Sequence, residues 1–289
     1  MLERWNDALG YIEENIEGEI DPTALARITL TSEYHFRRVF SALAGMSLSQ
    51  YIRARRMTLA AAEILDGTGI LDVASKYRYT SGDAFSRAFR QMNGMTPAEA
   101  RRPGAILHSQ QALTFHLTIQ GRSTMRYRVV DLPALHIVGK TARIPLKHHG
   151  VNPAMTEFHK SLPAGTGERL RKLADIPALP EILFVSTEFD ADRADGSLFD
   201  YYFAVATSVR HEGWDALAVP ASKWVVFEAH SEGNLQAELQ QLWADAFSEW
   251  FPSNPYQVIP GPEILTVTEH SEDWTTGTGE LWIPVERTS

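Results

Sequence analysis

The pattern of hydrophobic and polar positions in the first third of the chain is helical. Within residues 32–43 the apolar side chains follow the i, i+3, i+4, i+7 spacing that forms one stripe along an α-helix. These side chains are Phe36, Val39, Phe40 and Leu43. Residues 48–65 contain neither Gly nor Pro and predict one long helix of about 27 Å, at 1.5 Å per residue. Further helices are predicted at 22–28, where Asp21 can cap the first turn, and at 1–18.

The chain from Thr31 to Arg102 contains one pattern twice, at a shift of forty-nine residues. The matched pairs include Thr31 and Thr80, Ser32 and Ser81, Phe36 and Phe85, Phe40 and Phe89, and Gly45 and Gly94. In each copy a short helix, a turn and a second, serine-capped helix follow one another, which is the arrangement of a helix–turn–helix unit. Two copies are too few for a solenoid, so we expect two equivalent units side by side, joined by the long helix.

The second helix of each copy leaves polar and basic side chains outside its hydrophobic stripe. Arginine can bond bidentately to guanine in the major groove, and helix N-termini offer backbone donors to phosphates. The length of the joining helix is close to the ~34 Å between major-groove faces on one side of DNA. Spacing alone leaves two alternatives open, a helical domain with ordinary solvated arginines and a protein-interaction module.

A resemblance favours DNA. The runs SEYHFRRVFSALAGMSLSQYIRARRMTLAAAEIL and FSRAFRQMNGMTPAEARR resemble the DNA-binding domain of the AraC/XylS family of transcription regulators. The resemblance implies a monomer whose two recognition helices enter successive major grooves of promoter DNA. It implies base contacts by Tyr34, Arg37 and Arg38 in the first helix and by Gly82, Asp83 and Arg87 in the second. The predicted DNA-binding set also includes Thr31, Ser32 and Ser81 at the helix starts and Arg53 on the long helix, where a structural role is the alternative to phosphate contact.

Two features depart from the common family pattern. Gly82 and Asp83 stand where members often have a longer polar residue, so Arg87 is the main expected base contact of the second helix. Asp83 could accept from a cytosine amino group or stabilise the helix N-terminus, and we favour the second role. Leu30 and Arg78 stand in turns that often contain Gly, and arginine at the second position is typical of the Rob-type branch.

Charge divides the chain into parts. The formal net charge is −9, yet residues 20–124 contain 13 basic and 7 acidic residues, whereas residues 125–289 contain 13 basic and 23 acidic ones. The basic excess therefore coincides with the repeat, as expected for a DNA-binding segment. The chain has no cysteine, no signal-peptide pattern and no apolar run of about 18 residues, and we expect a cytoplasmic protein that does not enter membranes.

The pattern changes from helical to strand spacing after residue 124, and the order β-α-β-β occurs twice. Strands are predicted at 127–132, 135–141, 182–187, 200–209, 223–230, 263–267 and 280–285, and helices at 154–161 and 235–250. The expected fold is thus multidomain. An all-α double helix–turn–helix domain (1–107) and a connector (108–124) precede an α+β domain (125–289) with a mostly antiparallel sheet.

The second domain has a resemblance of its own. The segments YRVVDLPALHIVGK, ASKWVVFEAHSEG and GELWIPV resemble the GyrI-like small-molecule-binding domain. This implies an aromatic-lined pocket between the two halves that takes amphipathic, often cationic compounds. The expected acid is Glu263, with Glu280 as second choice, and the candidate walls are Tyr127, Tyr202, Phe203, Trp224 and Trp282. An acid beside aromatic faces suits a cation, although aromatic residues on strands more commonly form core.

Other chemistry is sparse. His148, His149 and His159 could suggest a metal, but no HExxH pattern or paired cysteines accompany them, and surface or loop positions are the more common meaning. The chain contains no GxSxG, GxGxxG or P-loop motif, so we expect no cofactor, no metal and no enzyme activity.

Three functional hypotheses remain. The favoured one is an effector-sensing regulator of activator type that contacts RNA polymerase and serves a multidrug or stress response. The others are a constitutive DNA binder whose second domain is structural or contacts polymerase, and a small-molecule hydrolase that uses Glu263 and is fused to a DNA-binding domain.

Overall fold

The computed structural model describes residues 2–115, 125–147, 150–179, 182–190, 193, 195–272 and 275–288. The chain divides into two compact units, residues 1–118 and 119–289. Part of the predicted connector, residues 116–124, lies outside the described residues. Among the helices that are described, none is long and apolar enough to cross a bilayer.

The first unit is all-α, as predicted. Its helices are α1 (Leu2–Glu14), α2 (Pro22–Thr29), α3 (Glu33–Ala44), α4 (Leu48–Leu65), α5 (Ile70–Lys76), α6 (Gly82–Asn93) and α7 (Pro97–Ala100). The two copies begin and end their second helices alike. Ser32 and Ser81 cap α3 and α6, and Gly45 and Gly94 end them in the left-handed region, at φ 67° and 73°. The observed repeat thus rests on capping chemistry as well as on the hydrophobic stripe.

The two turns differ in length by one residue. Leu30, at φ 54°, lies two positions before Ser32, whereas Arg78, at φ 64°, lies three positions before Ser81. Each left-handed residue is followed by an amide that bonds back into the first helix, from Thr31 to Ala26 O and from Tyr79 to Ala74 O, both at 2.9 Å. The shift of forty-nine residues therefore holds for the second helices but not for the first ones.

Helix α4 contributes to two small cores. Its N-terminal half buries Tyr51 against Phe40, with ring centroids 5.7 Å apart, and α1 covers this core, since the ring of Trp5 stacks on Phe36 at 5.0 Å. Its C-terminal half buries Met57, Ala60, Ala61 and Ile64 against the second copy. One uninterrupted helix therefore links both copies, as the sequence predicts.

Residues 105–115, here called the return segment, pack along the helical unit. Backbone amides of this segment donate to side chains of α6, α4 and α1. The bonds are His108 N to Asn93 Oδ1 at 2.9 Å, Gln110 N to Thr58 Oγ1 at 2.8 Å, Leu113 N to Tyr51 Oη at 3.0 Å and Phe115 N to Asn6 Oδ1 at 2.9 Å. The predicted connector starts at residue 108, and its residues up to 115 are integrated into the helical unit.

The second unit is an antiparallel sheet with helices. The strands are β1 (Tyr127–Leu132), β2 (Leu135–Pro145), β3 (Leu183–Thr187), β4 (Leu198–Thr207), β5 (Asp215–Val219), β6 (Ser222–Glu232), β7 (Tyr256–Val258), β8 (Glu263–His270) and β9 (Thr276–Arg287). The sheet order is β1-β6-β9-β8-β3-β4-β2-β5, with β7 on β9. The order β6-β9-β8 mirrors β2-β4-β3 about the β8–β3 junction, so the two β-α-β-β repeats meet there.

The helices of this unit are α8 (Pro153–Ser161), α9 (Thr166–Arg171) and α10 (Leu235–Asp245). The helix predicted at 235–250 is observed as α10 followed by a π-helical stretch, Ala246–Trp250, and a last turn, Phe251–Ser253. Helix α9 and strands β5 and β7 were not predicted, and they are only three to six residues long. Elements this short carry too few periods to be recognised from spacing.

Candidate DNA interface and effector site

The helix starts at the predicted DNA interface are built by serine caps. Ser32 Oγ accepts from the amide of His35 at 3.2 Å, and Ser81 Oγ accepts from the amide of Ala84 at 3.1 Å. Thr31 Oγ1 lies 2.9 Å from Thr29 Oγ1 and so braces the first turn. These contacts give Thr31, Ser32 and Ser81 structural roles in addition to the phosphate contacts predicted for them.

The predicted base-contacting residues of α3 are Tyr34, Arg37 and Arg38, and all three are half-buried. Within the Arg38 guanidinium, Nε and Nη2 are buried. Burial, and then the positive charge of Arg38, lowers the pKa of His35 to about 4. The Arg38 side chain therefore packs against the helical unit, and it is less exposed to solvent than its position outside the hydrophobic stripe suggests.

The predicted residues of α6 differ in exposure. Asp83 and Arg87 are exposed, whereas Gly82 is half-buried. A Cβ added at Gly82 would lie 2.7 Å from Cδ2 of Leu71 on α5, so a larger residue would require the Leu71 side chain to move. Leu71 is 72% exposed and its side chain is free to move, so this contact alone does not exclude a larger residue at Gly82.

The three arginines of α4 have different roles. Arg55 forms a bidentate ion pair with Glu13, with a shortest distance of 2.7 Å from Nη2 to Oε2. Arg56 donates from Nε to Ile16 O at 2.8 Å and from Nη2 to Gly18 O at 2.7 Å. Arg53 is exposed. Arg55 thus links α4 to α1, and Arg56 links α4 to the segment that follows α1. Arg53 is the one of the three that remains a candidate for phosphate contact.

Glu263 lies at the junction of the two repeats in the second unit. It is the first residue of β8, faces Ser186 of β3 in register and is 4% exposed. Its Oε1 accepts from Nη1 of Arg193 at 2.9 Å, and its Oε2 accepts from the indole Nε1 of Trp243 at 2.9 Å. The guanidinium carbon of Arg193 lies 3.5 Å from the ring centroid of Phe189. The chain therefore supplies both a cation and an aromatic face at the expected acid.

Glu280, the second-choice acid, has a related set of partners. Its Oε1 lies 2.7 Å from Nη1 of Arg128, and its Oε2 accepts from the indole of Trp282 at 3.0 Å. Arg128 also lies over the Trp282 ring at 5.2 Å and pairs with Glu228 at 3.1 Å. The bond to Glu280 raises the pKa of Arg128. Unlike Arg193, the Arg128 side chain is 39% exposed, so this set is a bridge between strands at the surface.

The predicted pocket walls are not gathered around Glu263. Tyr202, Trp224 and Trp282 belong to one buried core cluster that also contains Ile264. Successive side chains of a strand point to opposite faces, so Glu263 faces away from the cluster that holds Ile264. Trp243 and Phe189 take the place beside Glu263 that these aromatics were expected to fill.

The other two predicted walls lie elsewhere on the sheet. The ring of Phe203 is 5.5 Å from that of His159 and 5.9 Å from that of Phe184. Tyr127 lies on β1, three strands from β8, is 48% exposed and contacts Trp250 at 5.1 Å. No sequence pattern pointed to Arg193 or Phe189, and Trp243 was predicted only as part of the helix at 235–250.

A separate open cavity of about 540 Å³ lies near Trp214. Its lining includes Lys140, Arg169 and Lys172, with one acid, Glu212. The charged groups of Lys140 and Arg169 lie 5.3 and 5.5 Å from the Trp214 ring. This cavity is basic, which is the opposite of the charge expected for a pocket that takes cations.

The histidines considered as metal ligands do not form a site in the described part of the chain. His148 and His149 lie outside the described residues. His159 is half-buried, and its Nε2 lies 2.9 Å from the hydroxyl of Tyr201. Burial lowers its pKa. Its aromatic surroundings correct the expectation of a surface histidine.

Comparison with known proteins assigns both halves. A family described as a helix-turn-helix domain matches residues 25–103, and the GyrI-like small molecule binding domain matches residues 125–286. The chain is 32% identical over 96 residues to the regulatory protein SoxS of Escherichia coli, which covers 33% of this chain and 90% of SoxS.

Two further relatives match the same part of the chain. The transcriptional activator AarP of Providencia stuartii is 31% identical over 94 residues, which is 32% of this chain and 70% of AarP. The transcriptional regulator Rob of Salmonella typhimurium is 37% identical over 97 residues, which is 33% of this chain and 34% of Rob. The match thus spans only about a third of the length of Rob.

Proposed function

Since this chain belongs to the AraC-type DNA-binding transcription regulators that carry a GyrI-like domain, the Rob-type arrangement, we propose that it is an effector-sensing activator that binds DNA as a monomer. The observation that carries the DNA part is the pair of serine-capped helices, α3 and α6, held by one continuous α4. A single chain thus contains two recognition helices and needs no partner copy to contact two grooves. The basic excess of this unit supports the same role.

The proposed interface divides into base and phosphate contacts. Tyr34, Arg37 and Arg38 of α3 would contact base edges, and so would Arg87 of α6. Because Gly82 has no side chain, it would let the start of α6 approach the DNA closely. Phosphates would be bound by Thr31, Ser32, Ser81 and Arg53. For Asp83 we retain the role of stabilising the start of α6, because it is exposed in the first turn.

The DNA part is tested with a binding site selected from a random duplex library. Titration of that site should give one chain per duplex, with affinity that falls steeply as salt rises. Two chains bound cooperatively to a palindromic site would contradict the monomer. Transcription from a promoter that contains the selected site should rise with the protein and RNA polymerase, and repression would contradict the activator.

The effector part rests on Glu263. A buried carboxylate beside an aromatic ring, at the junction of two repeats, is a site suited to an amphipathic cation. We propose that such a compound changes the DNA affinity or the transcriptional output of the protein, which would act in the cytoplasm in a response to toxic amphipathic compounds.

This proposal is tested by repeating the DNA titration and the transcription assay with lipophilic cations, bile acids and neutral amphiphiles. A response to cations that is lost in Glu263→Gln supports it. DNA binding and transcription unchanged by every class would instead support a constitutive regulator. The relatives are regulators of transcription, so we do not propose hydrolase activity.

A further inference from the structure

We propose that Arg193 is a built-in occupant of the effector site, a guanidinium that an incoming organic cation must displace from Glu263. The proposal rests on the function proposed above and concerns how that same site is regulated. It follows from the contacts, the backbone and the burial of one arginine.

The contacts of Arg193 are those that a cationic ligand would use. Its Nη1 bonds Glu263 Oε1 at 2.9 Å, and its guanidinium carbon lies 3.5 Å from the centroid of Phe189. A carboxylate and an aromatic face are the two groups that bind organic cations in proteins. The side chains of Arg193 and Glu263 are 9% and 5% exposed, so water does not compete strongly for either charge. A second cation therefore cannot reach this oxygen of Glu263 while Arg193 remains.

Arg193 also has an uncommon backbone conformation. Arg193 has φ 45°, in the left-handed region that residues with a Cβ seldom adopt. It follows β3 in the connection to β4, and its amide bonds Asp190 O at 3.1 Å. Asp190 is itself fixed, because Leu198 N donates to its Oδ2 at 2.7 Å. A residue in this conformation, next to a fixed Asp190, is suited to two arrangements, one with the ion pair formed and one with it released.

The ion pair also explains how the site exists without an effector. A buried carboxylate with no cation nearby would be strongly disfavoured, and Arg193 neutralises it. An effector that replaces the guanidinium keeps the carboxylate paired and lets the arginine return to water. The apparent affinity for the effector is then the intrinsic affinity reduced by the fraction of molecules in which Arg193 has left. If Arg193 leaves in about 1% of molecules, the effector binds about 100-fold more weakly than to an open site.

Arg128 provides a matched comparison within the same domain. It also pairs with a glutamate that accepts from an indole, and it also lies over an aromatic ring. However, it is 39% exposed and pairs with a second carboxylate, that of Glu228. Arg128 thus shares the partner types of Arg193 without its burial, so Arg128→Ala is the control for Arg193→Ala.

The test is calorimetric titration of the full chain with n-butylguanidinium and with benzyltrimethylammonium. We expect Arg193→Ala to bind at least about 10-fold more tightly than the unaltered chain, and Arg128→Ala to bind like the unaltered chain. The double variant Arg193→Ala, Glu263→Gln should lose the tighter binding expected of Arg193→Ala. Because n-butylguanidinium replaces the missing group, it should also raise the melting temperature of Arg193→Ala and leave that of Arg128→Ala unchanged. Arg193→Gln, of similar length and without charge, serves if Arg193→Ala does not fold.

Affinities of Arg193→Ala or Arg193→Gln within about twofold of the unaltered chain, including no binding by any of them, would overturn the proposal. This result is separable from the proposed function. Tight binding to Arg193→Ala without any effect of cations on DNA binding or transcription would support the displaced arginine and reject effector sensing. If cations change DNA binding by the unaltered chain but removal of Arg193 does not raise the affinity for them, effector sensing is supported and the displaced arginine is rejected.

Discussion

Asn6 and Phe115, which are 109 positions apart, exchange two hydrogen bonds. Asn6 Nδ2 donates to Phe115 O at 3.0 Å, and Phe115 N donates to Asn6 Oδ1 at 2.9 Å. The Phe115 ring also lies edge-on to Trp5 and Phe40, at 6.3 Å from each. Asn6 therefore holds the return segment against α1, beside the core that contains Trp5, Phe36 and Phe40.

Replacement of Asn6 should destabilise the helical unit. In Asn6→Ala both backbone groups of Phe115 lose their partner, and we expect a loss of about 1–2 kcal/mol in the free energy of unfolding. Urea unfolding followed by ellipticity at 222 nm measures it. Glu14→Ala, an exposed position at the end of the same helix, is the control. Equal losses in both variants would show that the Asn6–Phe115 pair contributes nothing specific.

His35 should make the stability of the helical unit depend on pH. Its pKa is lowered from 6.5 to about 4, so the folded state favours the neutral ring and the unfolded state binds more protons below pH 6.5. The stabilisation is fully present above pH 6.5 and is lost as pH falls towards 4, with a total on the order of 3 kcal/mol.

The measurement compares the free energy of unfolding of the unaltered chain and of His35→Gln at several values between pH 7.5 and 4.5. The difference between them should shrink as pH falls, because the variant has no imidazole to charge. His108→Gln, at an exposed position, should follow the unaltered chain. Parallel pH curves for the unaltered chain and His35→Gln would contradict the prediction.

Three arginines of the helical unit should give three distinct results in DNA binding. Arg87→Ala, exposed on α6, should lower affinity for the selected site by about 1–3 kcal/mol and relax base preference locally. Arg53→Ala should weaken binding to all sequences alike and reduce the salt slope by about 1. Arg56→Ala should instead lower stability, because Arg56 bonds the carbonyls of Ile16 and Gly18.

Anisotropy titrations on the selected site and on random DNA, at several salt concentrations, separate these outcomes. An equal loss on both DNAs for Arg87→Ala would reassign Arg87 to phosphate contact. Arg38→Ala should lower specific affinity by about 1–3 kcal/mol and also lower stability, since two of its guanidinium nitrogens are buried. Unchanged stability would place its guanidinium outside the unit.

Gly139 should tolerate no side chain. A Cβ at this position of β2 would lie 2.6 Å from Cα of Ala204 and closer still to the carbonyl oxygen of Phe203, both backbone atoms of β4. Because backbone of a paired strand cannot move aside, Gly139→Ala should cost about 3 kcal/mol or more in stability. Gly10→Ala, in a helix with nothing within 4 Å, should instead stabilise by about 0.5–1 kcal/mol. Thermal unfolding of both variants tests these two predictions. A Gly139→Ala variant as stable as the unaltered chain would contradict the close approach of β2 and β4 at this position.

Much of the fold was predictable because its signals are local. The bounds of α4 follow from a run without Gly or Pro, and Ser32 and Ser81 predict where α3 and α6 begin. Strand β1, predicted at 127–132, has those bounds in the structure. Each of these depends on a few neighbouring residues, whose spacing the sequence displays directly.

The sequence by itself determined the two domains, the doubled helix–turn–helix unit and the repeated β-α-β-β order, since periodicity and capping are written in adjacent positions. Only the tertiary structure decided which groups meet. It placed Arg193 on Glu263 across seventy positions, turned Arg38 towards the body of the unit and put Trp224 and Trp282 in a core cluster. The physical reason is that a side chain's partners depend on strand register and on which face a residue takes, and both are fixed by contacts between distant segments.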